Sequence, residues 1–483
     1  MSVVIVLDCG ATNLRAIAID SKGAIVSSHF LKNSTKCDEQ NRDFHVWDFE
    51  EIWRKLVDCA QHVIRQIGAG NVKALTVTTF GVDGAPFDKN GQQIYPIISW
   101  KCPRTVPVMA QVEEELDRLE LFRDNGIGNY SFNTLYKLRW LKEHAPEVYS
   151  KMDKFVFISS MITHRLTGVL TTDYTMAGTS MMTRLDTGHW NEKVLNYLAL
   201  SETIFPPIVM AGELVGRLTK DVAQLFGLPA STPVISAGHD TQLALVGSGA
   251  EENQAILSSG TWEILMARSP RPTLNRQALE NGVTVELDSV RGLYNPAVQW
   301  LSSAVVEWVA KQFFTVEQTA DELYTVMIRE AEEVRQGAEG VVFTPSFTVG
   351  TNGVGQGSIE GLSIHTSRGQ IVRAMFEGLS HQLCQHFSYL NQLCQLNDGP
   401  VVVVGGGTKN ALWNQLRANA LQRPLHIVEQ AEATVTGAAM FAFFGAGYYS
   451  SIQDAQRNMK PQLRVVNPDL VNCSYDEKEA SHA

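Results

Sequence analysis

The chain is poor in the residues that cross-link a protein or draw it to polyanions. Its seven cysteines, Cys9, Cys37, Cys59, Cys102, Cys384, Cys394 and Cys473, are odd in number and contain no Cys-x-x-Cys pair, which argues against a disulfide framework and a zinc site. A reducing, cytoplasmic setting fits that usage. Forty Lys and Arg stand against 51 Asp and Glu, a formal net charge of −11, so no basic stripe is available to a nucleic acid or an anionic membrane. No Walker loop, zincin motif or Gly-x-Ser-x-Gly elbow occurs. The opening run Val3 to Leu7 has no basic leader and stops at Asp8, so it reads as a buried strand rather than a signal peptide or a membrane span. Without an export signal, the Asn-x-Ser/Thr triplets at Asn33, Asn129 and Asn472 read as chance.

What is present is an ordinary globular composition, 44% hydrophobic and 19% charged over 483 residues. That length exceeds the roughly 250–300 residues at which single cores stop growing, so two domains are expected. The first half opens as a β-meander, Val3 to Leu7, Leu14 to Ile19 and Ala24 to Phe30, followed by a helical pattern over Asp48 to Ile67 and a strand over Val72 to Phe80. Further strand signal lies at Ile94 to Trp100. Helices are expected at Pro107 to Arg123, Leu135 to Glu143, Val156 to Leu166 and Glu192 to Leu200. The second half repeats the plan: strands Ala255 to Ser258 and Trp262 to Arg268, helices Gln299 to Phe313, Thr319 to Arg335 and Ser367 to Leu396, strand Val401 to Val404, then helices Asn410 to Leu421 and Thr434 to Phe444. The expected organisation is a first domain over 1–245, a second over 246–450 and a loosely held tail over 451–483.

Three turns at strand ends carry small or phosphate-friendly residues: Asp8 to Asn13, Ser258 to Thr261, and Gly405 to Gly407. Each reads either as plain turn chemistry or as a cradle in which backbone N–H groups approach an anion. The Gly405 turn is not a dinucleotide fingerprint, because Asn410 stands where the third Gly should be. The run Pro233 to Ser236 leads through Gly238 and His239 to Asp240, which reads as a helix cap or as the carboxylate that receives a hydroxyl proton in phosphoryl transfer. Asp83, between Gly81 and Gly84, reads as a turn-former or a ligand group. Trp100 reads as core or as a sugar platform.

The stretch Phe132-Asn133-Thr134-Leu135-Tyr136-Lys137-Leu138-Arg139-Trp140-Leu141-Lys142-Glu143-His144 resembles the first signature of the FGGY carbohydrate kinases. The stretch from Gly357-Ser358-Ile359-Glu360-Gly361-Leu362 to Ala374-Met375-Phe376-Glu377 resembles the second. The resemblance runs from about residue 3 to 450. It implies an α/β, two-domain actin-like (ribonuclease H-like) ATPase fold with the active site in the interdomain cleft, and the cofactors ATP and Mg2+. In that reading Asp240 is the catalytic base and Asp8 acts on the metal. Thr12, Asn13 and Arg15 face the β and γ phosphates, and Gly260 and Thr261 form the second phosphate motif. Gly405, Gly406, Gly407 and Asn410 form the adenosine motif, while Asp83, Trp100, His239 and Asn295 contact the sugar. Rhamnulokinases carry a nucleotide-contacting Gln eight residues after the Asn matched by Asn295; Ser303 stands there instead. The phrases Asp8 to Asn13, Thr79 to Ala85, Ser99 to Thr105 and Leu257 to Glu263 most resemble the branch of the family that phosphorylates L-fuculose on its carbon-1 hydroxyl. The expected partner is thus a small ketose, with no nucleic acid and no membrane, and an oligomer remains open. Other ketoses, an actin-like ATPase and a sugar sensor are the competing readings.

Overall fold

The computed structural model describes residues 2–39, 41–270, 272–314, 319–347, 355–429 and 432–469. Two compact units interleave along the chain: Met1–Ala250 with Arg268–Pro296 and Glu432–Pro461, and Glu251–Ala267 with Ala297–Ala431 and Gln462–Ala483. The segments 268–296 and 432–461 thus return to the first unit, where the sequence suggests a single division at 245.

The first unit is built on strands β1 (Val3–Cys9), β2 (Asn13–Asp20), β3 (Ile25–Lys32), β4 (Val72–Thr79), β5 (Leu214–Arg217) and β6 (Pro233–His239), in the order β5-β6-β4-β1-β2-β3. β1, β2 and β3 form the expected antiparallel meander, while β4 runs parallel to both β1 and β6. Helices cover both faces, which is why all seven residues of β1 are buried. Val3, Ile5, Leu7 and Cys9 share a core with Ile52, Leu56 and Val63 of the helix Phe49–Ile67. Val4 and Val6 face the other way, onto Leu243 and Val246 of the helix Asp240–Gly247 and Ala438, Ala439 and Phe443 of the helix Ala433–Gly445. The two-residue period of a strand therefore puts Asp8 on the face that these two helices cover.

A second, seven-stranded sheet repeats the design in six of its strands, β7 (Ile256–Ser259), β8 (Trp262–Met266), β9 (Tyr294–Leu301), β10 (Val401–Val404), β11 (Leu425–Val428) and β12 (Leu463–Val466), in the order β9-β8-β7-β10-β11-β12. Again three antiparallel strands are followed by two parallel ones and an antiparallel edge. The architectural repeat read from the sequence is present, element for element, in these six strands.

Several expected elements differ. The helix expected over Pro107 to Arg123 is two, Val106–Glu115 and Arg118–Asn125, because Asp117 is extended and its carboxylate caps Glu120 N–H at 2.7 Å. The helix expected from Val156 starts at Ile158. Its aromatic and β-branched lead-in, Lys154–Phe157, is a strand that pairs Val156 with Ala85. Strand signal at Ile94 to Trp100 survives only as Ile97–Ile98, and the helix expected from Gln299 starts at Ser303 because β9 continues to Leu301. The stretch read as a loose tail carries the helix Ile452–Asn458 and β12, with Ile452, Ala455 and Met459 buried in the first unit's core; residues 470–483 lie outside the described ones. Among the described residues no helix is long and apolar enough to cross a membrane.

The helices Asp240–Gly247 and Ala433–Gly445 meet through glycine. A Cβ on Gly437 would fall 2.0 Å from the Leu243 carbonyl oxygen, and one on Gly247 1.9 Å from that of Ala433. Gly437→Ala must force this contact open, so we expect a loss of about 1–3 kcal/mol, read as a lowered urea midpoint. An unchanged midpoint would contradict this account of the packing.

Candidate active site

The site grows from the carboxyl ends of three adjacent parallel strands. Asp8 pairs with Thr78 across β1 and β4, Thr78 pairs with Gly238 across β4 and β6, and Asp240 follows two residues after Gly238. Gly238 has φ +123°, and a Cβ there would fall 2.2 Å from Thr175 Oγ1, so this approach to Asp240 admits only glycine. Asp240 is the first residue of its helix, and Thr434 Oγ1 holds its carbonyl at 3.4 Å. Its side chain is about one-third exposed.

Asp8 and Arg15 are cross-strand partners at the start of the β1–β2 hairpin. Arg15 donates to Asp8 Oδ2 through Nε at 2.7 Å and Nη2 at 2.5 Å, and through Nη1 to both oxygens of Glu432 at 2.8 and 2.7 Å. The guanidinium expected to face phosphate is thus committed to two carboxylates. Burial, the largest cause, raises the Asp8 carboxyl and Arg15 pulls it down, while Asp240 and Glu432 push it up, leaving it at about 6. Asp240 and Glu432 stand at the N-terminal ends of the two glycine-packed helices, whose dipoles favour negative charge there. The donor set suits magnesium, which takes one or two carboxylates together with substrate phosphates. Both Arg15 bonds leave Asp8 Oδ1 without a hydrogen bond, and the neighbouring Asn13 Oδ1 is enclosed with no donor. No group of three or more His, Cys, Asp or Glu shaped for a metal occurs among the described residues, so a metal here depends on phosphate oxygens as well.

The hairpin tip is tight. Gly10 N–H donates to Asn13 O at 3.0 Å, and a Cβ on Gly10 would lie 2.8 Å from that oxygen. Thr12 is exposed at the tip. Asn33, set aside from the sequence as a chance triplet, braces the turn: its Nδ2 donates to Gly10 O at 2.9 Å and its N–H to Thr12 O at 2.8 Å.

Of the expected sugar contacts, Asp83 is completely buried. It accepts from Trp47 Nε1 at 2.7 Å, from Trp100 N–H at 3.1 Å and from Lys137 Nζ. Burial pushes the Asp83 carboxyl up and the Lys137 ammonium down, and each partner's charge opposes the other's shift. Asp83 therefore holds Trp100 in place through its backbone, while the Trp100 side chain is 36% exposed with Phe132 edge-on at 6.3 Å. His239 Nε2 lies 3.1 Å from Asp240 Oδ1, and a Cβ on Gly81 would fall 2.9 Å from the same nitrogen, so the Gly81 turn and the His239-Asp240 pair adjoin. Asn295 is buried elsewhere in the unit's hydrogen-bond network: its Nδ2 donates to Asp288 Oδ2 at 2.8 Å, beside the buried Arg268–Asp288 pair.

In the second unit the two expected nucleotide turns touch each other. Gly405 has φ +95°, and a Cβ there would lie 2.5 Å from Ser259 O; a Cβ on Gly407 would lie 2.0 Å from Ser259 Oγ. Buried Arg417 binds Ser259 Oγ at 2.8 Å and pairs with Glu263. Asn410 caps the helix Ala411–Leu421 by accepting Trp413 N–H at 3.0 Å, and Gly406 starts the short turn between. Gly260 N–H donates to Trp262 O at 3.1 Å, leaving Thr261 exposed. Ser303, at the position of the departure noted above, donates its N–H to Gly260 O at 3.3 Å and so braces this turn.

Sequence reasoning did not single out Lys137, Gln242, Glu286, Glu432 or Arg417. Lys137 stands inside a stretch already quoted, but nothing in its spacing names its partner.

Two family models match the chain: the N-terminal domain of the FGGY family of carbohydrate kinases over residues 3–247 and its C-terminal domain over 255–446. The chain belongs to the FGGY carbohydrate kinases, and its two-unit α/β structure is the actin-like fold expected of them. It is 50% identical to an L-fuculokinase of Haemophilus influenzae over 97% of its own length and 100% of that protein's. It is 43% identical to an L-fuculokinase of Escherichia coli K12, over 96% and 97%. The crystal structure of xylulose kinase from Rhodospirillum rubrum shares the fold, with a TM-score of 0.87 at 22% identity over 97% of this chain and 94% of that one.

Lys137 is the sole charge partner drawn to Asp83 within that buried group. Removing it with Lys137→Met leaves an uncompensated buried carboxylate, and we expect a loss of about 3–5 kcal/mol. In chemical denaturation, Asp83→Asn added to Lys137→Met should recover part of it. No recovery would show that lost packing, not unpaired charge, sets the cost.

Proposed function

We propose that the protein is an ATP-dependent kinase that transfers a phosphoryl group to the carbon-1 hydroxyl of L-fuculose, giving L-fuculose 1-phosphate and ADP in the cytoplasm. The observation that carries the substrate is 50% identity to an L-fuculokinase across that relative's whole length. The chemistry is supported by a part-exposed carboxylate, Asp240, at the end of a strand two places from the one that bears Asp8. Asp240 accepts the hydroxyl proton. Thr12 and Asn13 hold the β and γ phosphates, with Gly260 and Thr261 as the second phosphate turn. Gly405, Gly406, Gly407 and Asn410 receive the adenosine. Arg15 acts through Asp8 and Glu432, fixing both carboxylates rather than meeting phosphate in this arrangement. Asp8, with Asn13 beside it, would hold a magnesium ion, which when bound neutralises charge on the transferring phosphates. In a loose phosphoryl-transfer transition state most of the acceleration comes from this alignment and charge stabilisation.

The sugar subsite centres on the exposed face of Trp100, with His239 beside Asp240 and Asp83 supporting Trp100 from a buried network; Asn295 lies apart from them, bonded to Asp288. L-fuculose and L-rhamnulose differ in configuration at carbon 4, so the wrong epimer leaves a buried polar group unpaired, at roughly 1–3 kcal/mol. Coupled measurement of ADP release should therefore rank L-fuculose about tenfold to a hundredfold above L-rhamnulose in kcat/KM. D-ribulose should follow as a weaker substrate, with no release in the absence of sugar. A higher specificity constant for L-rhamnulose or D-xylulose would leave the family standing and overturn the substrate.

A further inference from the structure

Asp240 does not stand alone: a chain of side chains leads away from it to a second carboxylate in the same unit. His239 Nε2 lies 3.1 Å from Asp240 Oδ1. The other ring nitrogen, Nδ1, meets Gln242 Oε1, and Gln242 Nε2 donates to Glu286 Oε2 on the strand Thr284–Leu287. Gln242 is completely buried, and Glu286 Oε2 lies 3.9 Å from His239 Nδ1.

The hydrogen-bonding capacities of these groups fix the direction of the chain. An ionised carboxylate only accepts, so Glu286 requires the Gln242 amide nitrogen on its side and turns the amide oxygen toward His239. That oxygen also only accepts, so His239 carries its hydrogen on Nδ1. Nε2 of the neutral ring is then a lone pair aimed at Asp240, and the pair is complete only with one proton between them.

Resting on the kinase reading above, we propose that His239 Nε2 receives from Asp240 the proton taken from the sugar hydroxyl, and that Gln242 and Glu286 are positioning residues that hold the ring in the Nδ1–H tautomer. As the sugar oxygen forms its bond to the γ-phosphorus, the bond to the leaving oxygen breaks and its electron pair departs with ADP. The hydroxyl proton passes to Asp240, then from Oδ1 to Nε2, and leaves the imidazolium for water. The carboxylate is thereby restored as a base within the same turnover.

The surroundings suit this role. His239 N–H donates to Thr175 Oγ1 at 2.9 Å, which fixes the backbone, and the Gly81 turn packs on Nε2 without a side chain. The titratable groups that act on the ring are Asp240 on its own segment, Glu286 on the strand across from it, and Asp173 below Gly238. Burial raises the Asp173 carboxyl and Ser159, Ser236 and His239 draw it back, leaving it at about 6.

The test is the position of the ring protons, read by NMR in 15N-histidine-labelled protein, with His239 assigned by difference from His239→Asn. The neutral ring should carry its hydrogen on Nδ1, with Nε2 unprotonated. A neutral ring protonated on Nε2 would overturn the proposal, and this needs neither activity nor a second variant. In Gln242→Leu and in Glu286→Ala the tautomer should switch toward Nε2–H, and kcat should fall about tenfold or more with the KM for ATP unchanged. A switched tautomer with unchanged kcat would overturn the relay. Failure of the kinase reading itself is distinguishable, since it would appear as absent sugar-dependent ADP release in the unmodified protein.

Discussion

Charge repulsion among carboxylates withdrawn from water is the constraint around which the first unit is arranged. The charges of Asp240 and Glu432 both act on buried Asp8 at the end of a sheet, and the Arg15 guanidinium is bonded to Asp8 and Glu432. Three features make such a cluster tolerable. Two helices begin there, so their N-terminal dipoles favour the negative charge; Arg15 spans Asp8 and Glu432; and Asp240 keeps contact with solvent. What remains is an unsatisfied demand for positive charge, which a divalent cation would supply. The glycines that let the helices Asp240–Gly247 and Ala433–Gly445 touch belong to the same arrangement, because they set where both N-termini stand.

The sugar side follows a different rule. Asp83 is committed to structure, tied to Lys137, Trp47 and the Trp100 backbone, and so places Trp100. In the second unit Arg417 has the corresponding role beneath the nucleotide turns, where Ser259, Glu263 and the two close-packed glycines Gly405 and Gly407 leave no room for substitution. In both units a buried ion pair braces a more exposed segment.

Much of this was legible in the sequence. The meander, the strand leading to Asp240 and the small-residue turns depend on local patterning, and a strand buried on both faces announces itself as an unbroken apolar run. The partners of the site residues were not legible, because they come from far along the chain. Lys137 is 54 residues from Asp83, Arg417 is 154 from Glu263, and Glu432 is 417 from Arg15. Periodicity carries no information about such contacts. The same holds for Arg15, whose position in a phosphate motif is visible while its commitment to two acids is not. The misjudged helix over Pro107 to Arg123 has a local cause: apolar spacing continues across Leu116, and only the capping geometry of Asp117 interrupts it.

The central claim is that Asp240 is a base rather than a binding group or a helix cap. The most direct measurement is the turnover of Asp240→Asn set beside its affinity for ATP. Asparagine preserves size and polarity while removing the capacity to take a proton, so the account predicts a fall in kcat of roughly 10²-fold or more with ATP binding nearly unchanged. Near-normal turnover, or a loss traceable entirely to weaker ATP binding, would contradict it.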